Sequence, residues 1–189
     1  MKYLFFFGLI KIVISQNIAY EMFQKYVNSP EGCILNIELK QSYFHETLVS
    51  SGVFYKKAET YIFDSQKQYV KYENQYITTI NKSNKQVVYD SIKKDYATIF
   101  DILSGNKQNI FFHPFIDEIE RFYIPFEIEL WGIKGSISID KTNGSPKKIS
   151  FIQDGEIEVD IDIVSSKNDS VINLPTYDIM GFEVINLIE

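Results

Sequence analysis

The sequence predicts a mainly β protein with a few short helices. Short runs in which apolar and polar residues alternate recur along most of the chain, and this period of two is typical of strands with one buried face. Two stretches repeat apolar residues at intervals of three and four, which is typical of amphipathic helices. The chain has 15 Phe and 13 Tyr but 1 Cys. We expect apolar packing and sheet hydrogen bonds to stabilise the fold, because one Cys cannot form an intramolecular disulfide.

The N-terminal residues are predicted to be a signal peptide. Lys2 supplies a positive charge, Tyr3–Ile14 forms an apolar run interrupted by Lys11, and small residues precede Gln16 at the expected cleavage site. A buried or membrane-anchoring helix is the alternative, but this run of 12 residues is short of the about 20 that span a bilayer, and Lys11 makes burial unfavourable. The predicted domains are therefore a signal peptide, residues 1–15, and one domain, residues 16–189.

The charge balance disfavours two classes of partner. The chain has 25 acidic and 19 basic residues, and loss of the signal peptide with its two lysines would leave 25 acidic against 17 basic residues. A surface with this sign repels phosphate backbones and anionic lipids. We therefore predict no nucleic-acid partner.

A short helix is predicted to open the mature protein, followed by a meander of strands. Apolar residues between Ile18 and Val27 lie on one helical stripe, and the turn-forming segment Asn28–Gly32 ends it. From Cys33 the period changes to two, so Cys33, Leu35, Ile37 and Leu39 share one face of a strand. The strands predicted next are Leu48–Lys56, Glu59–Asp64, Gln68–Tyr72, Tyr76–Asn81 and Gln86–Tyr89.

A second helix is predicted in the middle of the strands. Asp95–Ser104 carries Ile99 and Leu103 on one stripe and meets Gly105 at the position expected after a helix end. We expect this helix to cover one face or mouth of the sheet. Strands then resume, with a clear hairpin turn at Asp154-Gly155. The later predicted strands are Asn109–Phe112, Glu120–Tyr123, Glu127–Trp131, Gly135–Asp140, Lys148–Gln153, Glu156–Ile163 and Phe182–Ile185.

No catalytic motif is evident in the sequence. It contains no Gly-x-Ser-x-Gly elbow and no His-Glu-x-x-His helix, and its two histidines, His45 and His113, stand beside no recognisable nucleophile or orienting acid. The alternating acids from Glu156 to Asp162 resemble a metal site, but on a strand they would all lie on one solvated face. We therefore predict a protein that is not an enzyme and that has neither a metal site nor a cofactor.

The aromatic excess leaves two interpretations open. Many Phe and Tyr side chains could fill the closed core of a domain of this size. They could equally line the concave face of an open antiparallel sheet, where inward apolar side chains and a short helix over them would suit acyl chains.

The order of elements resembles the outer-membrane lipoprotein carrier proteins of the LolA type. The resemblance covers the mature chain and is carried by short motifs in the family's order. These are Ser51–Phe54 with Lys56-Lys57, Gln86-Val87, Ile102–Gly105, Ser138–Asp140, Pro146, Ile149–Phe151, Asp154-Gly155 and Phe182–Ile185. The family's Arg-Pro pair is replaced near Lys57-Ala58. The resemblance makes Lys57 the candidate for the family's lid latch, although an ammonium cannot reproduce the bidentate fork of an arginine.

The resemblance implies an unclosed antiparallel half-barrel lidded by short α-helices over a hydrophobic cavity. Such a protein would be a monomer in the periplasm of a Gram-negative bacterium, without a cofactor. Its partners would be acylated lipoproteins, an inner-membrane lipoprotein-release complex and an outer-membrane acceptor. The alternative is a non-enzymatic envelope sensor or interaction module of the same fold. Strand phase gives the candidate cavity lining as Leu35, Ile37, Leu39, Phe54, Tyr61, Phe63, Ile80, Ile99, Leu103 and Trp131.

Overall fold

The structure is a computed structural model that describes residues 18–44, 46–91, 99–104, 110–153 and 155–188, without the side chains of Ile99 and Phe100. The predicted signal peptide, His45 and the predicted helix end at Gly105 lie outside these residues. No helix in the described ranges has both the length and the apolar character that a membrane crossing needs.

Two α-helices and thirteen strands are found in the described ranges. Helix α1 comprises residues 18–27, α2 is Ile99–Ser104, and Glu129–Trp131 is a short 3-10 helix. The strands are β1 Cys33–Tyr43, β2 Glu46–Lys57, β3 Thr60–Ser65, β4 Gln68–Glu73, β5 Tyr76–Asn81, β6 Gln86–Ser91, β7 Phe111–Phe112, β8 Ile116–Asp117, β9 Arg121–Ile128, β10 Ile133–Asp140, β11 Pro146–Gln153, β12 Ile157–Lys167 and β13 Glu183–Asn186.

All these strands belong to one sheet that does not close. Their order is β13-β6-β5-β4-β3-β2-β1-β12-β11-β10-β9-β7, and β8 also pairs with β9. β1 joins the two halves because it pairs antiparallel with β2 on one side and with β12 on the other. Every pairing is antiparallel except that of β13 with β6. The predicted fold class, a mainly β protein built on an unclosed sheet, is confirmed.

The region around Pro125 differs from the prediction. The predicted strands Glu120–Tyr123 and Glu127–Trp131 are one strand, β9, which continues through Pro125 and gives way to the 3-10 helix at Glu129. Proline is tolerated there because β9 lies near the sheet edge: on the side away from β10, the strands found in the described ranges are the short β7 and β8, and neither pairs with Pro125. The carbonyl oxygen of Pro125 still accepts a hydrogen bond from the His113 amide at 2.9 Å.

The two faces of the sheet are covered in different ways. The inner face, defined here as the face that α1 and α2 cover, carries the main apolar cluster. In that cluster Phe23 of α1 and Leu103 of α2 are buried against side chains from both halves of the sheet. The strands contribute fully buried residues such as Leu35, Phe54 and Ile161. The helices thus stand where a sandwich fold would place a second sheet.

The outer face of β1, β11 and β12 is a ladder of ion pairs. Lys40 pairs with Asp162 at 3.2 Å, and Lys148 pairs with Asp160 at 3.0 Å. Asp160 also accepts a hydrogen bond from Ser150 at 2.6 Å. The alternating acids of β12 therefore lie on a solvated strand face, as the sequence predicted.

The outer face of β3 to β6 is covered by the C-terminal strap, residues 171–182. A second apolar cluster forms between this strap and Ile62, Tyr69, Ile80 and Val87 of the sheet. The Tyr69 hydroxyl donates a hydrogen bond to the Pro175 carbonyl at 3.0 Å. The strap leads into β13, which pairs with β6 in parallel because the chain has crossed the whole outer face of this half before it reaches the edge.

Gly144 is a position where the sheet and α1 approach each other closely. It lies in the β10–β11 turn at φ +76°, and a Cβ built on it would come within 2.6 Å of the Met22 carbonyl carbon. Gly155, in the β11–β12 turn, has a similar φ of +73° but no atom within 4 Å of a built Cβ. The two glycines therefore share a backbone requirement and differ in their contact with α1.

We expect Gly144→Ala to destabilise the protein more than Gly155→Ala. Both variants would bear the strain of a left-handed backbone, about 1–2 kcal/mol. Only Gly144→Ala would also push α1 from its place, which adds about 1–3 kcal/mol, typical of overpacking. Urea unfolding of both variants measures the difference, and equal losses would contradict the docking of α1 on this turn.

Candidate binding face

Most of the predicted lining residues lie together on the inner face. Leu35, Ile37, Phe54, Tyr61, Phe63 and Leu103 are all buried members of the main cluster. Leu39 and Trp131 are partly buried and pack against it. The Ile99 side chain lies outside the described residues. Strand phase therefore placed these side chains on a common face, whereas their role as a ligand lining stays a prediction.

The placement of Ile80 with this group is wrong. Ile80 lies opposite Tyr69 on β4 and Val87 on β6, and all three belong to the cluster under the C-terminal strap. The residues of β5 that share the inner face are Ile77 and Thr79, opposite Tyr72 and Val70. A shift of one residue moves a side chain to the other face of a strand, and the apolar character of Ile80 did not reveal that the outer face is also buried here.

Helix α1 is anchored at its C-terminal end by polar contacts with the sheet. The Tyr26 hydroxyl donates to the Ser166 hydroxyl at 2.8 Å, and the Asn168 amide donates to the Tyr26 carbonyl at 3.0 Å. Just beyond the helix, the Ser29 hydroxyl donates to the Asn168 carbonyl at 2.9 Å. The end of β12 and the residues after it thus fix the register of α1 on the inner face.

Lys56, rather than Lys57, is the lysine of β2 that contacts a covering helix. The Lys56 side chain is buried and its ammonium donates a hydrogen bond to the Asn28 side-chain oxygen at the end of α1. The same ammonium lies 5.3 Å from the centroid of the Tyr61 ring. Burial lowers the pKa of Lys56 because the charged form loses its hydration.

Lys57 lies on the opposite face, where it contacts the strap. Its ammonium donates to the Ile172 carbonyl at 2.9 Å. The prediction that Lys57 lies where it could latch a helix over the inner face is therefore wrong, and the adjacent Lys56 lies on that side. The sequence held a signal for this difference, because Phe54 and Lys56 share a strand face and Phe54 was predicted to point inward.

Polar groups of α2 meet tyrosines of the sheet. Tyr61 of β3 shares a hydrogen bond with Ser104, and the rings of Tyr61 and Tyr72 lie edge to face with centroids 5.1 Å apart. Burial raises the pKa of both tyrosines, and the nearby carboxylate of Asp101 raises it further. Both hydroxyls are therefore neutral near pH 7 and act as hydrogen-bonding groups at the rim of an apolar surface.

The chemistry that this face offers is apolar contact. Its central residues are aliphatic and aromatic, and the polar groups lie where the helices end. His113 lies elsewhere, with its Nε2 atom 3.3 Å from Glu127, on the edge of the sheet near β7. In the part of the chain that the structure describes, no three or more His, Cys, Asp or Glu side chains are grouped to hold a metal ion.

Comparisons with known proteins place this architecture among solved structures. No model of a known protein family matches the sequence, and no curated protein sequence matches it. An uncharacterised conserved protein from Thermus thermophilus superposes with a TM-score of 0.55 at 9% identity, over 89% of this chain and 96% of that one.

Two further structures are similar over most of their length. A LolA superfamily protein from Nitrosomonas europaea has a TM-score of 0.48 at 11% identity, over 85% of this chain and 95% of that one. A DUF1329 family protein from Desulfovibrio piger has a TM-score of 0.47 at 10% identity, over 84% and 95%. At 9% identity the similarity to the Thermus protein concerns the fold alone.

We expect Lys56→Met to change how stability depends on pH. In the unfolded chain a lysine titrates near pH 10.4, whereas burial lowers the pKa of Lys56 in the folded protein. Between these two pKa values the unfolded chain binds more protons, so this lysine makes wild-type stability rise with pH. The free energy of unfolding of the wild type relative to Lys56→Met should therefore increase as pH rises to about 10.

Urea unfolding at several pH values measures this difference, with Lys57→Met as the matched control. Lys57 is adjacent in sequence, but its ammonium lies on the strap and not against α1. A difference between wild type and Lys56→Met that stays constant with pH would contradict a buried, destabilised ammonium.

Proposed function

We propose that this protein is a periplasmic carrier that shields lipoprotein acyl chains on its inner face and moves them from the inner to the outer membrane. The observation that supports this proposal is the apolar inner face of an unclosed sheet that two helices cover. An acyl chain could replace the helix side chains on this surface without exposing a polar group. The sequence resemblance to lipoprotein carriers supplies the cargo class, and the predicted signal peptide supplies the compartment.

The energetics favour such a carrier over free transfer through water. Each buried CH₂ group is worth about 0.8 kcal/mol, so an anchor with several acyl chains cannot leave a membrane unshielded at a useful rate. Residues such as Leu35, Ile37, Phe54 and Phe63 form a continuous apolar surface across β1, β2 and β3. In this proposal they are the central part of the binding face.

Loading requires that a covering helix move away from the sheet. We place this motion in α2, because α1 is fixed at its C-terminal end by Tyr26, Asn28 and Ser29. Lys56 takes the role that Lys57 was predicted to have, as a latch between the sheet and the end of α1. A single ammonium on an amide oxygen is a weaker latch than a bidentate arginine, so other contacts of the face must share this role.

The remaining parts of the proposal follow from the resemblance. The protein acts as a monomer without a cofactor, receives acylated lipoproteins from an inner-membrane lipoprotein-release complex and passes them to an outer-membrane acceptor. No step breaks or forms a covalent bond, so the protein is not an enzyme in this proposal. The driving force of each transfer is the difference in apolar burial between donor and acceptor.

The test is native mass spectrometry with lipid analysis of the protein purified from a periplasmic extract. We expect acylated lipoprotein to co-purify with the wild type. Leu39 lies at the partly buried margin of the inner face. Leu39→Glu should reduce the amount of co-purified lipoprotein at least tenfold, because it would place a carboxylate beside the acyl chains. Ile37→Glu is the stronger variant at the buried centre of the face.

Val164→Glu is the matched control. Val164 lies at the irregularity of β12 opposite Asn36 and Ile37, and its side chain is 72% exposed. We expect it to retain cargo, and circular dichroism would establish that each variant folds. A folded wild type that carries no lipid and takes up none from detergent-solubilised lipoprotein would contradict the carrier and favour an envelope sensor or interaction module.

A further inference from the structure

Within the described residues, the N-terminal half of β2 pairs with a strand on one side only. β1 pairs with β2 from Glu46 to Lys56. β3 pairs with β2 only from Gly52 onward, because β3 ends at Ser65. In the described ranges no strand pairs with Glu46–Ser51 on the side away from β1, and all of these residues are exposed. β2 lies inside the strand order, but its segment Glu46–Ser51 is therefore an exposed edge.

Beyond Glu46, this edge lacks the features that usually protect an exposed strand. Natural edges are short, or carry Lys, Pro or a bulge that prevents pairing with another chain. The edge strand β13 is only 4 residues long and begins with Glu183. By contrast, Thr47–Ser51 carries no charge and no proline. Its two apolar side chains, Leu48 and Val49, are 68% and 60% exposed.

Leu48 and Val49 lie on opposite faces of the same strand. Leu48 is opposite Gln41 and Val49 is opposite Lys40 on β1. A partner that docked on one face of the sheet would cover only one of them. A strand added beside β2 would contact both, and it would also pair the free N–H and C=O groups of the edge.

These backbone groups argue against a lipid bilayer as the occupant. Hydrocarbon offers no hydrogen-bond partner, and open sheet edges are therefore not found in contact with it. A second folded copy is also disfavoured, because Gly52 is already opposite Ser65 and the two copies could overlap only along Glu46–Ser51. Such a short contact falls far below the roughly 800 Å² per partner that a stable dimer buries.

We propose that Glu46–Ser51 binds an extended peptide segment by strand addition. The carboxylate of Glu46 disfavours an acidic residue opposite it in that segment, whereas Asp64, in a groove of about 400 Å³ at the point where β3 ends, is already paired with Lys82. The segment would carry two adjacent apolar residues opposite Leu48 and Val49, flanked by Ser or Thr, with a basic residue opposite Glu46. Strand pairing needs no acyl chain, so this inference stands apart from the proposed carrier function.

The test uses the peptide acetyl-Ser-Thr-Val-Ile-Thr-Lys-amide and the folded protein. In an antiparallel alignment with β2, its Val and Ile lie opposite Val49 and Leu48 and its Lys opposite Glu46. We expect peptide addition to shift the NMR amide signals of Glu46–Ser51 and to slow hydrogen exchange at alternate residues of this segment. The same peptide N-methylated at alternate amides should not bind, because it cannot complete the ladder.

Lysine substitutions give the matched comparison. Leu48→Lys and Val49→Lys should each weaken peptide binding at least tenfold, because they place a protecting charge on the edge. Val184→Lys is the control, since Val184 is 55% exposed on the edge strand β13 at the other end of the sheet, and it should bind as the wild type does. Leu39→Glu should also retain peptide binding, which separates this test from that of the carrier.

Several outcomes would overturn the proposal. Unchanged signals at Glu46–Ser51 with millimolar peptide, or equal binding of the N-methylated peptide, would exclude strand addition. A dimer that appears in analytical ultracentrifugation and is abolished by Leu48→Lys would assign the edge to a second copy. Binding to vesicles of zwitterionic lipid that Leu48→Lys abolishes would assign it to a membrane surface.

Discussion

The contact between α1 and the inner face is the interaction on which the rest of the structure depends. A sheet that does not close leaves its apolar inner face open to water, and helices must cover it for the domain to be stable. α1 covers it with Phe23 and its neighbours. Residues far away in sequence hold α1 there: Lys56 donates a hydrogen bond to Asn28, Ser166 accepts one from Tyr26, and Gly144 lies close to Met22. These contacts fix α1 on the sheet, and β1, β2 and β12 are paired with one another without help from α2.

The outer face explains why the sheet can keep its shape when the inner face is uncovered. In one half, Lys40 and Lys148 pair with the acids of β12, so that this surface is solvated. In the other half, the C-terminal strap forms a separate apolar cluster around Ile62 and Tyr69. This second cluster shares no residue with the main one, so α2 can move without disturbing it. One set of residues thus stabilises the sheet, and a different set covers the binding face.

The sequence predicted the elements better than it predicted which face is buried. Period two located β1, and the face of Leu35 and Ile37 was correct because the outer face of that strand is polar. For β5 the same reasoning failed at Ile80, because the strap buries the outer face there and both faces of the strand carry apolar residues. Lys57 was assigned to the inner side from the family resemblance, although strand phase places Lys56, which shares a face with Phe54, on that side. The parallel pairing of β13 depends on the path of the strap across the sheet, which no local pattern encodes.

The central claim is that α2 leaves the inner face when an acyl chain occupies it. Hydrogen exchange followed by mass spectrometry, with and without a synthetic triacylated lipopeptide, tests this claim most directly. The account predicts that α2 loses protection on binding while β1, β12 and the residues around Tyr69 under the strap keep theirs, because the sheet and the second cluster do not take part. Binding of the lipopeptide with unchanged protection of α2, or with equal loss of protection across the whole domain, would contradict it.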